Sequence, residues 1–269
     1  VDNKNSIDGL GNNESAGPLF SALLYDPTEP VYNDDGELSI SSELTIQNPM
    51  RLVKGVNSFI LTNRTMTSAY FELEVIEGLT AKINAGLDRV NSRKDLYNSR
   101  LTFFCGSAGG IADVANLERS NTLFEYTMNY QKNINENNNI TVLGGVTYQH
   151  FLNRFMGGNI SGFPSDDTGT NNLNLGDSDN DQVLSNKVEN KLLSYLGRIN
   201  YSLMDKYLFT ASFRADGSSR FGPNNRFGFF PSFAVAWRLS EEVFIPDFFH
   251  DLKLRASWGQ IGNESIGNL

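Results

Sequence analysis

The stretch TSAYFELEVIEGLTAKINAGLDR, residues 67–89, decides how the rest of this chain is read. Ala69, Phe71, Leu73 and Val75 fall on one side of an extended chain, with Tyr70, Glu72 and Glu74 on the other. After Glu77-Gly78 the rule resumes, with Leu79, Ala81, Ile83, Ala85 and Leu87 set against Lys82, Asn84 and Asp88. Side chains of a strand alternate between faces, so two such runs joined by a glycine-containing turn predict a hairpin with one apolar and one polar face.

The same alternation recurs along the chain. Phe124, Tyr126, Met128 and Tyr130 form one row, and Ile140, Val142, Val146 and Tyr148 another. Tyr195, Ile199, Tyr201 and Leu203 follow, then Phe209, Ala211, Phe213 and Ala215. Phe229, Phe233, Val235, Trp237 and Leu239 precede a last row of Leu252, Leu254, Ala256 and Trp258. This predicts about eight strands after residue 66, several near the roughly 9–11 residues that cross an outer membrane at a tilt.

Connections alternate as well. EG, QKNINENNN, MDK and SEEVFIPDFFH are compact, whereas residues 91–120, 152–190 and 216–226 read as long loops. Residues 1–66, with prolines and an Asp-Gly, read as a loop-rich start with short strands, and 67–269 as the regular part. Short links at one end and long ones at the other are the pattern of an up-and-down transmembrane barrel. The fold class is therefore expected to be all-β, an antiparallel up-and-down transmembrane β-barrel, with about eight to ten strands in this chain. Alternation alone also fits a soluble β-sandwich or an adhesin-type carbohydrate-binding module, because both bury one face. Ser240 with Glu241 and Glu242 predicts a capped short helix in the last compact link.

Composition narrows the function. The 269 residues carry 31 acidic and 22 basic side chains, a net charge of −9 and a pI near 4.8. Nucleic acid is thereby disfavoured as a partner, since phosphate binding needs a basic face. Mean hydropathy is −0.33, and no run approaches the roughly 20 apolar residues of a membrane-spanning helix, a test to which barrels are blind. Cys105 is the only cysteine, which leaves no internal disulfide and no cysteine-rich zinc site.

Other candidate chemistry is sparse. GSSRFGPN has Pro223 where a phosphate-binding loop needs lysine, so Asp216-Gly217 and the cluster at 222–225 read as turn formers between strands. Asp177, Asp179 and Asp181 open like a calcium loop, but Gln182 and Val188 stand where that loop needs glycine and glutamate; they remain calcium candidates only in a looser geometry. His150 and His250 are far apart without a nucleophile motif, which argues against an enzyme. Phe209, Phe213, Phe229, Phe233, Trp237 and Trp258 share the phase of the aliphatic rows and are expected to face lipid. Solute contacts are expected from polar wall residues or long loops, with Phe155, Phe163 and Asn171 as candidates.

Two segments carry a family resemblance: LLSYLGRINYSLMDKYLFTASFRADGSSRFGPNNRFGFFPSFAVAWRLSEEVFI (192–245) and DLKLRASWGQIGNESIG (251–267). With YDPTEPVYNDDGEL, QNP and EGLTAKINAGLD upstream, they resemble the SusC/RagA branch of TonB-dependent outer-membrane transporters. The loop Asp216, Gly217, Ser218, Ser219, Arg220, Phe221, Gly222 is the most distinctive motif; Phe227 and Trp258 replace one aromatic by another. The resemblance implies a barrel of about 22 strands closed by a plug. It also implies a Gram-negative outer-membrane, multi-pass location, energy from the TonB complex, and a SusD-like surface lipoprotein that hands over glycans or peptides. No cofactor is implied. The plug, the TonB-contacting region and the last strands have no counterpart, so the chain is expected to be an internal piece of such a barrel, roughly a third to a half.

Overall fold

The computed structural model describes residues 3–4, 17–42, 46–222, 224–246, 248 and 250–263. Most of the expected loop-rich start before residue 17, Pro223 of the 222–225 cluster and the end of the resemblance at 264–267 lie outside the described residues. One sheet contains nine strands in sequence order. They are β1 (Asn3–Lys4), β2 (Val56–Ile76), β3 (Leu79–Asn98), β4 (Ile111–Asn135), β5 (Asn138–Ser161), β6 (Gln182–Leu203), β7 (Tyr207–Ser218), β8 (Phe227–Arg238) and β9 (Lys253–Gly259). Among the described residues β9 does not pair with β1, so the sheet is an open part of a barrel. Among the described residues no second sheet covers either face, so the sandwich alternative is not favoured.

Strand ends differ from the expected bounds. β2 starts at Val56, eleven residues before the first regular alternation, and β3, β4, β5 and β6 extend well into the stretches expected as loops. The long connections shrink to 99–110, 162–181 and 219–226, and the β4–β5 link to Glu136-Asn137. The reason is that a ladder is made of backbone groups. Polar runs such as NSRKDLYN pair as well as apolar ones; Thr62 and Ser92, for example, share a hydroxyl hydrogen bond of 2.9 Å.

Turn chemistry fits the compact end. Gly78 has φ +79°, and an added Cβ there would meet the Gln131 carbonyl oxygen at 2.2 Å. Met204 and Asp205 both adopt positive φ, 55° and 52°, the twist that suits a two-residue hairpin turn. Asn135 secures the next turn by accepting from the Asn137 N–H at 3.0 Å and from Asn138 Nδ2 at 2.7 Å.

The chain forms two compact units. One comprises residues 1–64, 90–119 and 153–187; the other comprises 65–89, 120–152 and 188–269. The first unit holds the helices α1 (Pro18–Leu24), α2 (Pro49–Gly55) and α3 (Phe103–Gly106). Its hub is the QNP motif. Asn48, fully buried, accepts from the Met50 N–H at 3.1 Å as N-cap of α2, with Pro49 at the first helical position. Its amide donates to the carbonyls of Val31 at 2.8 Å and Ser39 at 3.2 Å. Gln47 accepts from the Phe103 N–H at 2.9 Å, and Arg51 donates to Leu101 and Leu38 carbonyls at 2.7 and 2.8 Å. Five residues of sequence thus tie two loops to one helix.

A second node joins the loops 99–110 and 162–181. Asp166 accepts from Tyr97 Oη at 2.8 Å, from the Arg100 backbone N–H at 3.2 Å and from Arg100 Nη1 at 3.2 Å, and Arg100 Nη2 also donates to the Phe163 carbonyl. Under it lies a small core of Tyr97, Ala112, Ile160 and Phe163, with Phe163 set edge-on to Tyr97 at 5.5 Å.

Both nodes yield expectations for the full-length receptor in detergent. Asn48→Ala removes a cap and strands two carbonyls, a loss of about 1–3 kcal/mol. Hydrogen exchange should quicken at 31–39 and 47–55 while β7 and β8 stay protected. Asp166→Ala should loosen 162–181 by a similar amount, about 1–3 kcal/mol, and unchanged exchange there would remove its assigned role.

Candidate functional site

In the second unit, register sets two walls of opposite character. β6, β7, β8 and β9 pair antiparallel, so directly opposed residues share a face. One face carries Tyr195, Ala215 and Phe229 in one row, Gly197, Phe213 and Pro231 in the next, then Ile199, Ala211, Phe233 and Trp258, and Tyr201, Phe209, Val235 and Ala256 beyond them. Leu203, Tyr207, Trp237 and Leu254 close the set. The six aromatic residues singled out from the sequence therefore share this face. Rings sit beside small residues: Ala215 is buried between Tyr195 and Phe229, and Ala211 separates Ile199 from Phe233. Stacked pairs form at 6.0 Å (Phe213–Phe229), 6.1 Å (Tyr207–Trp237) and 6.2 Å (Phe233–Trp258). This face is nevertheless open, with Phe229 58% and Trp258 60% exposed.

The opposite face carries Ser194, Arg198, Asn200 and Ser202 on β6, and Thr210, Ser212, Arg214 and Asp216 on β7. Ser232 and Arg238 continue it on β8, and Lys253, Arg255 and Ser257 on β9. Arg214 Nε donates to the Asp216 oxygens at 2.7 and 2.9 Å, and Nη2 to Ser194 at 3.3 Å. Ser212 and Ser232 pair at 2.6 Å, and Thr210 donates to Asn200 at 2.9 Å. A cleft of about 250 Å³ beside them is lined in part by Asn139, Thr141, Asn200, Thr210 and Arg255. Hydroxyls, amides and guanidinium groups on a rigid ladder offer hydrogen bonds to polar solutes.

The distinctive loop motif resolves differently from its expected reading. Asp216, Gly217 and Ser218 lie in β7, paired with Gly228 and Phe227 and with Leu192 to Ser194. Gly217 is not a turn residue; an added Cβ would stand 2.6 Å from the Phe227 ring, which lies across the glycine and stacks on Tyr195 at 6.3 Å. Ser219 exchanges two hydrogen bonds with Lys191, each 2.9 Å, and Arg220 N–H donates to Ser218 Oγ at 3.3 Å. Gly222 accepts from the Asn225 N–H at 3.0 Å, so the turn proper spans 219–226.

The loop candidates separate. Phe163, 1% exposed, is part of the core beside Tyr97 and presents no ring to a solute, because the loop folds inward there. Phe155 is exposed and lines a cleft of about 430 Å³ with Glu118, Arg154, Met156 and Lys187. Asn171 lines another of about 400 Å³ with Arg93, Asp95 and Tyr97. Asp177, Asp179 and Asp181 flank a short 3₁₀ turn, where Asp177 accepts from the Asp179 N–H at 3.1 Å. Among the described residues no three His, Cys, Asp or Glu side chains converge on a common point. Cys105 is buried, and burial pushes its thiol above the ordinary range, away from the reactive thiolate.

Some contacts carried no sequence signal. His150 lies 2.9 Å from Glu189, a pair 39 residues apart. Ser240 caps no α-helix; the segment is a 3₁₀ turn, Leu239–Glu241. The acidic group that matters is Glu242, which accepts from Tyr207 Oη at 2.9 Å, Trp237 Nε1 at 3.0 Å and Lys206 Nζ at 3.4 Å.

Comparison with known proteins identifies this architecture. Residues 5–269 match the family described as TonB dependent receptor-like, beta-barrel. TonB-dependent receptor P26 of Formosa agariphila is 32% identical over 274 residues, covering 99% of this chain and 27% of that protein. TonB-dependent receptor SusC of Bacteroides thetaiotaomicron is 27% identical over 281 residues, covering 95% and 27% respectively. The solved structure of the RagAB peptide transporter superposes with a TM-score of 0.76 at 25% identity over 87% of this chain and 27% of its own. The chain thus spans about a quarter of the length of these relatives. Their names agree with the SusC/RagA resemblance in its motifs, and the match over nearly its whole length settles the family: this chain belongs to the TonB-dependent receptor-like β-barrels.

Proposed function

We propose that this chain is part of the barrel of an outer-membrane, TonB-dependent nutrient importer of a Gram-negative bacterium. The ring-bearing face of β6–β9 contacts lipid, and the face bearing Arg214 and Asp216 lines the lumen. One observation carries the reading: four strands in fixed register place every large aromatic except Phe230, which opposes Arg214, on one exposed face and most of the charge on the other. In water such a face is an aggregation surface, whereas in a bilayer it is the solvated one.

Strand length supports this. β2 to β6 run 20–25 residues, about twice the 9–11 needed for a crossing. Long connections belong to the extracellular side in such barrels. Solute, a glycan or a peptide, meets the polar lumen wall and the loop clefts that contain Phe155 and Asn171. RagAB is named a peptide transporter, and SusC supports the wider class. A SusD-like surface lipoprotein delivers the solute, and the TonB complex acts through a region outside this chain.

Paired substitutions in the full-length receptor test the assignment of faces. Phe233→Arg puts a guanidinium on the lipid face, a cost of about 2–4 kcal/mol near mid-membrane. It should sharply reduce heat-modifiable receptor in outer-membrane fractions. Ser232→Arg, one residue away on the lumen face, should assemble normally and alter only growth on the imported solute. Equal assembly of both, or the reverse order, would sink the assignment. Arg214→Ala, which leaves Asp216 without its guanidinium, should lower assembled receptor more than it shifts solute preference.

A further inference from the structure

The link from β8 to β9 does something that a plain turn does not require. After the 3₁₀ turn Leu239–Glu241 the chain presents Val243, 99% exposed, and Phe244, 67% exposed. Large apolar groups in a compact link are costly to leave in water. This link is nevertheless held in one place by the Glu242 carboxylate. Its three donors come from β7 (Tyr207), β8 (Trp237) and the β6–β7 turn (Lys206). The indole N–H first, then the phenol and the ammonium, hold Glu242 below the usual carboxylate range. Further ties come from the Ser240 N–H to the Leu252 carbonyl at 3.1 Å and the Glu242 N–H to Leu239 at 3.0 Å.

The direction of the clamp is informative. Tyr207 and Trp237 are directly opposed on the ring-bearing face, and they satisfy their polar tips on Glu242. Phe244 then meets Trp237 edge-on at 6.4 Å. The aromatic rows of that face therefore continue past the strand ends into the link, through Trp237 to Phe244, with Val243 exposed beside it in sequence. Amphipathic Trp and Tyr with a polar tip and an apolar body are the side chains that sit at a bilayer surface.

We propose that Glu242 holds the 239–246 link as an interfacial foot. Val243 and Phe244 enter the boundary between headgroups and acyl chains of the periplasmic leaflet, beside the Tyr207–Trp237 pair. The occupant is lipid, by continuity with the exposed aromatic face, and the inference rests on the lipid-facing reading above. The carboxylate acts by position: it neutralises Lys206 and satisfies both ring donors at the depth where water becomes scarce.

Spin-label accessibility in the full-length receptor, in a Cys105→Ser background and reconstituted in phosphatidylethanolamine/phosphatidylglycerol vesicles, tests this directly. Labels at Val243→Cys and Phe244→Cys should collide with oxygen more than with a water-soluble nickel chelate, at a depth of about 5–10 Å below the phosphates. A label at Asn225→Cys, in the opposite loop, should report water. Adding Glu242→Ala should move the 243 and 244 labels toward the aqueous profile with the amount of assembled receptor retained. Nickel access at 243 and 244 equal to that at 225 overturns the foot, as does protection from both reagents, which marks coverage by another protein segment. A Val235→Cys label in mid-face separates the two readings. If it is deep in lipid while 243 and 244 are not, only the foot fails; if it is aqueous, the membrane reading itself fails.

Discussion

The constraint on which everything else depends is the backbone ladder. Each strand must exchange its N–H and C=O groups with two neighbours, and a hydrocarbon surround supplies no substitute partner. Once β6, β7, β8 and β9 pair in the observed register, the faces of some forty side chains follow from a period of two. A slip of one residue would exchange Phe213 for Arg214 and Phe233 for Ser232 on the same wall. Both the lipid assignment and the polar wall stand on that register.

Register in turn is held by pieces whose residues look unremarkable. Gly217 is needed because the Phe227 ring lies over it, and Ala215 because Tyr195 and Phe229 close above it. In the Ala215 and Ala211 rows a small residue on β7 answers a ring on β6 or β8, whereas Tyr201 with Phe209 and Tyr207 with Trp237 stack ring on ring. Arg214 and Asp216 do the corresponding work on the other face, where one Nε–H shared between both carboxylate oxygens, with Ser194 as third member, keeps the charges matched on the ladder.

The first unit solves a different problem, that of ordering long connections without a large core. Among the described residues its buried apolar cluster is Tyr97, Ala112, Ile160 and Phe163, with Val114 and Leu173 packed against it. Polar nodes supplement it: Asn48 joins three segments through one side chain, and Asp166 joins two loops through Tyr97 and Arg100. Such nodes are costly if half-satisfied, so every arm matters. The cleft containing Asn171 borders the second node through Tyr97, which donates to Asp166.

The sequence by itself determined the all-β class, the two-faced strands, the co-facial aromatics and the family. Each of these is written in side-chain order at spacing two or in short contiguous motifs. Asn48 was also within reach as an N-cap before Pro49, although its bonds to Val31 and Ser39 were not. Only the tertiary structure decided where strands end, because a ladder through NSRKDLYN or Asn153 to Ser161 needs no apolar pattern. It alone decided that Phe163 is core and not a solute platform, and that Asp216-Gly217 is strand and not turn. It also showed that Glu242 is a clamp and not a cap. Those outcomes depend on partners 5 to 69 residues away, such as Tyr97 and Asp166 or Tyr207 and Glu242, whose meeting is set by the register of intervening strands and leaves no mark on either residue's neighbours in sequence.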